Sequence, residues 1–125
     1  MLFDTDVLIW ALRGSVQAAN EIDDDENRAI SAVTYMELMQ GARNKREQAL
    51  VKQYLHALNF VVLPITEAIS HRATVFIEEY SLKSGLHLAD AFVFATACEH
   101  VLTLCSANQR HFRQIVSLQA KTFVP

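Results

Sequence analysis

Glycine and proline are scarce in this chain, with three and two residues among 125. That leaves little material for linkers or for a many-turned β-sandwich. No run of about 18 uninterrupted apolar residues occurs, so no membrane-spanning helix is expected. The opening Met1-Leu2-Phe3-Asp4 has neither a basic region nor a long apolar one, which argues against a signal peptide and for a cytoplasmic location. The two cysteines, Cys98 and Cys105, make neither a disulfide framework nor a zinc motif and read as reduced core residues. Charge is also sparse. Eleven Lys+Arg face fourteen Asp+Glu, a formal net charge of −3, and as a total this speaks against a nucleic-acid partner. Hydrophobic residues make up 51%, enough to exclude a disordered chain and to bury one core, so a single domain over residues 1–125 is expected.

The apolar pattern alternates between short runs and helical spacing. Leu2-Phe3 reads as a buried first strand, followed by a helix from about Val7 to Leu12. Gly14 stops that helix and Ser15 caps a second, which runs into an acidic loop, Glu21-Ile22-Asp23-Asp24-Asp25-Glu26. Residues 28–31 and 60–63 read as strands, and residues 33–42 and 45–58 as helices. Thr66 caps a long helix that Gly85 ends; a strongly apolar helix follows over residues 88–99. Residues 101–105 and 121–124 read as strands, with a short helix or turn over residues 108–116. Short apolar strands alternating with helices predict a mostly parallel central sheet covered on both faces, a three-layer α/β/α architecture.

The informative feature is the position of the acids. Asp4 and Asp6 are the only charges in residues 1–12, Glu37 the only one between Arg28 and Arg43, and Asp90 the only one between Lys83 and Glu99. Each lies in a stretch that is otherwise apolar, and a buried, unpaired carboxylate costs several kcal/mol, on the order given by transfer to an apolar medium. No Lys or Arg stands at helical spacing to pair with them. They therefore meet a cation in three dimensions or sit protonated. Asp4 and Asp6 lie at the carboxyl end of the first strand, where open α/β sheets place their sites. Asp90 is in the first turn of a helix, where the macrodipole favours an anion. Carboxylates without His or Cys partners suit hard, oxygen-preferring ions, Mg²⁺ or Mn²⁺, and such sites commonly serve phosphoryl transfer. The structural alternative is that these acids cap helices or pair with distant arginines; for Asp6 a role as N-cap of the first helix is an even match.

These residues carry a family resemblance. Leu2-Phe3-Asp4-Thr5-Asp6-Val7-Leu8-Ile9 resembles the first motif of PIN-domain nucleases, and Ser31-Ala32-Val33-Thr34-Tyr35-Met36-Glu37-Leu38-Met39-Gln40-Gly41-Ala42 the second. Leu88-Ala89-Asp90-Ala91-Phe92-Val93-Phe94-Ala95-Thr96-Ala97 resembles the third, and Leu104-Cys105-Ser106-Ala107-Asn108-Gln109-Arg110-His111-Phe112 the fourth. Each motif alone is weak; the ordered set, spanning nearly the whole chain, is specific. The compact size and the wording around Glu37 are similar to VapC-type toxins of bacterial toxin–antitoxin pairs.

The resemblance implies a Mg²⁺- or Mn²⁺-dependent endoribonuclease that cleaves RNA phosphodiester bonds with a metal-activated water, leaving a 5′-phosphate and a 3′-hydroxyl. Asp4, Glu37 and Asp90 match the metal-binding acids, with Asp4 and Asp90 as direct ligands and Glu37 a ligand or water-positioning base. Asp6 stands where the family often has a small polar residue and adds a candidate ligand. Thr5, Ser106 and Asn108 match supporting positions; Asn108 occupies the acid position of the fourth motif without adding charge. The implied partners are RNA, an antitoxin protein that blocks the site, and a second copy in a homodimer, with DNA reached only through the antitoxin.

Other features weigh less. His56, His71, His87, His100 and His111 show no ligand spacing and read as surface or partly buried side chains, except that His111, beside Arg110 and Arg113, is a candidate RNA contact. Arg43, Lys45 and Arg46 are a solvated helix junction or phosphate contacts at a cleft rim. Ile9 is expected in the core and Trp10 at an interface; Tyr54, Leu55 and Leu58 are core or a dimer face. Two other functions fit the acids: an aspartyl-phosphate phosphatase with Asp4 as nucleophile, which needs a catalytic lysine that Lys83 and Lys121 supply poorly, and a non-catalytic protein-binding domain. Apart from the four candidate site acids and the five of the acidic loop, five acids face eleven bases. The charge distribution therefore favours a polyanion, provided the acidic loop lies away from its path.

Overall fold

The computed structural model describes all residues, Met1–Pro125. In chain order the elements are β1 (Leu2–Phe3), α1 (Thr5–Leu12), α2 (Val16–Asp23), β2 (Ala29–Ser31), α3 (Ala32–Gly41), α4 (Lys45–Ala57), β3 (Val61–Leu63), α5 (Glu67–Ser84), α6 (Leu88–His100), β4 (Leu104–Ser106), α7 (Gln109–Phe112) and β5 (Ala120–Thr122). The five strands form one sheet in the order β3-β2-β1-β4-β5. Every pairing is parallel, so the expected "mostly parallel" sheet is parallel throughout.

Strand alternation sorts the core into two layers. Leu2, Ala29 and Leu104 face the cluster under α5 and α6, with Phe76, Tyr80, Phe94, Phe112 and Ile115. Phe3, Ile30 and Cys105 face the opposite cluster, with Val7, Leu8, Ile22, Leu38 and Leu55 from α1 to α4. Both faces of the sheet are thus covered, as a parallel sheet requires, and the three-layer α/β/α architecture follows. Tyr54 and Leu58 pack against the second cluster, which settles that stripe as core.

The helix starts follow side-chain capping. Ser15, Asn44 and Thr66 accept from the backbone N–H of Ala18, Glu47 and Ile69, each satisfying an amide the helix leaves free. α5 ends at Gly85, whose φ of 73° is the left-handed conformation glycine adopts without strain.

Several boundaries differ from the sequence reading. Asp4, not Asp6, caps α1, and the helix begins at Thr5. Glu21 to Asp23 belong to α2, so the acidic loop is half helix. α6 runs to His100 and closes on Val101 at φ 52°, which shortens β4 to residues 104–106. The last strand begins one residue earlier, at Ala120, and ends at Thr122. Only residues 109–112 of the segment 108–116 are helical. Ile9 is not in the core: on α1 the inward positions are Val7 and Leu8, and Ile9 is partly exposed. Cys105 is buried, whereas Cys98 is only half-buried beside Ser117.

Candidate active site

At the carboxyl ends of the neighbouring strands β1 and β4, the register brings polar residues side by side. Leu2 pairs with Leu104 and Phe3 with Cys105, so one further step sets Asp4 opposite Ser106. The Asp4 N–H donates to the Cys105 carbonyl at 2.9 Å. Asp4 is itself buried, 6% exposed, beside the fully buried Ser106. Its Oδ1 accepts from the Thr5 N–H at 2.8 Å and its Oδ2 from the Ser106 hydroxyl at 2.7 Å. Ser106 Oγ accepts in turn from the Asn108 N–H at 3.0 Å.

Asp6 follows in the first turn of α1. Its Oδ2 accepts from the Ala107 N–H at 3.0 Å, while its Oδ1 is buried with no hydrogen-bond partner. Asp90, in the first turn of α6, completes the cluster: its charge acts on both Asp4 and Asp6. Burial, then repulsion from Asp6 and more weakly from Asp90, pushes the Asp4 carboxyl up to about 7 against the hydrogen bonds from Ser106 and Thr5. Burial raises Asp6, opposed by the N–H groups of Ala107 and Val7. Burial also raises Asp90, opposed by the nearby His111 and His87 and by the Asn108 side chain.

Glu37 stands apart from this cluster and joins it through Thr5, whose hydroxyl lies 2.7 Å from Glu37 Oε1. No Lys or Arg forms an ion pair with any of the four acids. Two imidazoles, those of His87 and His111, stand near Asp90 instead. His87, expected to be a surface or partly buried side chain, is exposed and precedes α6 as its N-cap, three residues before Asp90 and on the same helical face. Thr34, a fully buried neighbour of Thr5, was not singled out at all. Its signal was a lone hydroxyl one turn before Glu37.

The donors suit a hard divalent cation in charge and chemistry: all-oxygen carboxylates, mutually repelling, with one buried carboxylate oxygen unpartnered. As placed, no three His, Cys, Asp or Glu side chains converge closely enough to hold an ion, so the match lies in electrostatics and donor type. Asp4, Asp6 and Asp90 are the residues that would hold such an ion, with Glu37, joined to the site through Thr5, as the remaining candidate ligand.

Apart from His111, which stands near Asp90, the basic candidates are exposed side chains. Arg43 is exposed and paired with Glu47 at 2.8 Å; Lys45, Arg46 and Arg110 are exposed and His111 partly buried, with its Nδ1 buried and unpartnered. Arg43 and Glu37 both line an apolar groove of about 630 Å³ formed with Ile9, Leu12, Leu38 and Leu50. Trp10, adjacent on α1, is 40% exposed. Within the acidic segment, Asp25 pairs with the Met1 amine at 2.5 Å, where β1 begins rather than where it ends, while Glu21 pairs with Lys121 on β5. Neither lysine required by an aspartyl-phosphate mechanism meets Asp4. Lys121 pairs with Glu21 and Lys83 lies over the Tyr80 ring.

No helix is long and apolar enough to cross a membrane. No curated protein matches the sequence. Among solved structures, a toxin–antitoxin complex from Klebsiella pneumoniae contains a chain 31% identical to this one, with a TM-score of 0.83 over 98% of this chain and 97% of that one. VapBC2 from Rickettsia felis, bound to a DNA fragment from its promoter, aligns with a TM-score of 0.85 over 98% of each chain at 17% identity. FitAcB from Neisseria gonorrhoeae aligns at 0.75 and 24% identity, over 95% and 94% of the two chains. The family model for the PIN domain matches residues 1–117, and with that match and the Klebsiella relative the chain belongs to the PIN-domain family.

Proposed function

We propose that this protein is a metal-dependent endoribonuclease and the toxin of a toxin–antitoxin pair, with Mg²⁺ or Mn²⁺ as cofactor. The observation that carries the reading is the repelling Asp4–Asp6–Asp90 cluster at the end of β1, with its unpartnered Asp6 oxygen, in a PIN domain. A divalent ion bound there would supply the activation of water and the stabilisation of the leaving oxygen. The chain's own residues do the rest. Asp4, Asp6 and Asp90 provide the negative charge that binds the ion. Ser106 and the Thr5 N–H fix both oxygens of Asp4. Glu37, held by Thr5, accepts a proton from the attacking water as the phosphodiester is cleaved, and Asn108 and Ser106 support the fourth-motif side. Arg43, Lys45, Arg46, Arg110 and His111 contact RNA phosphates.

The antitoxin partner is supported by the Klebsiella relative, whose structure is a toxin–antitoxin complex, and by the apolar groove that opens beside Glu37. An inhibitor seated there reaches Glu37 directly. A homodimer and an indirect link to DNA, through the antitoxin, complete the reading.

The test is RNA cleavage by the purified protein with Mg²⁺ or Mn²⁺, beside Asp4→Asn and Asp90→Asn. Cleavage that both variants and EDTA abolish, leaving 5′-phosphate and 3′-hydroxyl ends, supports it. Full activity in EDTA, or 2′,3′-cyclic phosphate ends, overturns it.

A further inference from the structure

Thr34 is fully buried, and its hydroxyl has one hydrogen-bond partner, Thr5 Oγ1 at 3.0 Å. Thr5 Oγ1 has a second, Glu37 Oε1 at 2.7 Å. A hydroxyl carries one proton and two lone pairs. The carboxyl oxygen is the stronger acceptor and makes the shorter contact, so the Thr5 proton goes to Glu37. Thr34 then donates to Thr5, and no buried hydroxyl is left unsatisfied. Thr34 and Glu37 are three residues apart on α3 and share a face, so both reach the first turn of α1 at the same residue.

We infer that Thr34 is a positioning residue for Glu37, acting through Thr5. By occupying the acceptor side of the Thr5 hydroxyl, it commits the only proton of that hydroxyl to Glu37 and holds the carboxylate in one orientation. Ser106 does the same for Asp4 on the opposite side of β1, so each flank of the site is set by a buried hydroxyl. The inference rests on the nuclease reading, in which Glu37 serves the reaction.

Thr34→Val removes the hydroxyl at constant volume, and Thr34→Ser keeps it. At saturating Mn²⁺, Thr34→Val is expected to lower kcat for RNA about tenfold with KM changed less than about twofold. The Mn²⁺ concentration at the midpoint of the Tm rise is expected to increase about threefold. Thr34→Ser stays within about twofold of wild type in both readouts. In a Thr5→Val background, Thr34→Val adds no further loss, because its route to Glu37 is already cut. Equal losses from Thr34→Val in both backgrounds, or no loss in either readout, overturn the inference. Should Thr34→Val fail to fold, Thr34→Ala takes its place in the same cycle. A wild-type protein that cleaves no RNA with either metal overturns the nuclease reading instead, and the Mn²⁺-linked Tm then still decides whether Thr34 couples to Thr5.

Discussion

Ser106 donates its hydroxyl proton to Asp4 Oδ2 at 2.7 Å, across 102 positions of sequence. The bond joins two buried side chains and is the one side-chain donor that lowers the Asp4 carboxyl. Ser106→Ala leaves a buried carboxylate oxygen unpartnered and is expected to destabilise the protein by about 1–3 kcal/mol at neutral pH. Urea unfolding checks the figure; an unchanged midpoint contradicts it.

The raised Asp4 carboxyl makes stability depend on pH. Its folded value, about 7, lies above the ordinary 3.8, so folding favours the protonated form. That contribution is complete below about pH 4 and is lost as pH rises through about 7. Asp6 and Asp90 shift in the same direction. The metal-free protein should therefore melt at a lower temperature at about pH 8 than at about pH 5. Asp4→Asn should flatten the slope, and Mg²⁺ should raise the Tm more at the higher pH. A metal-free Tm that rises over this interval refutes the assignment.

The groove beside Glu37 offers a separation of functions. Leu12 and Leu50 line it and are 40% and 54% exposed, so charging them costs the fold little. Leu12→Asp and Leu50→Asp should weaken capture of an antitoxin at least about tenfold in calorimetry and leave RNA cleavage within about twofold of wild type. Loss of cleavage with binding intact would reverse the assignment of that surface.

Arg43 is tied to Glu47 in an exposed pair four residues apart, an arrangement of small worth in water. Arg43→Ala should move the Tm by no more than about one degree. If Arg43 contacts RNA phosphate, the same variant raises KM about threefold or more at unchanged kcat and weakens the salt dependence of binding. An unchanged KM removes it from the RNA path.

The cysteines should react unequally. Burial pushes the Cys105 thiol up to about 12, and Cys98 is raised less, through burial opposed by Ser117. Thiol titration of the native protein should label Cys98 slowly and Cys105 only on unfolding. Equal rates in the folded state would show that the second core opens.

The acids at the end of β1 could be read from sequence because a charge inside an apolar run has few explanations. The mostly parallel sheet followed from the alternation of short strands with helices, and the strand pairings make it parallel throughout. What escaped the sequence was contact made only in three dimensions. Nothing local says that Ser106 stands opposite Asp4; the strand register does. His87 gave no spacing signal because its relation to Asp90 runs through the start of α6 rather than through a ligand motif. Ile9 was misplaced because a helix of eight residues with two fully inward positions has almost no periodicity to read. The Asp6 cap was a matter of phase: Asp4 and Asp6 are both at strand-to-helix distance, and only the backbone decides which one starts the turn.

The pairing of β1 with β4 also sets an order of events during synthesis. The acidic cluster draws on residues 4, 6 and 90, and Asp4 gains its Ser106 donor only when β4 docks beside β1. A growing chain therefore carries Asp4 long before it carries the strand that fixes it. Until β4 has emerged and docked, the site exists only as scattered side chains, so the reading of this protein as a toxin implies that a nascent chain that has not yet reached β4 is harmless.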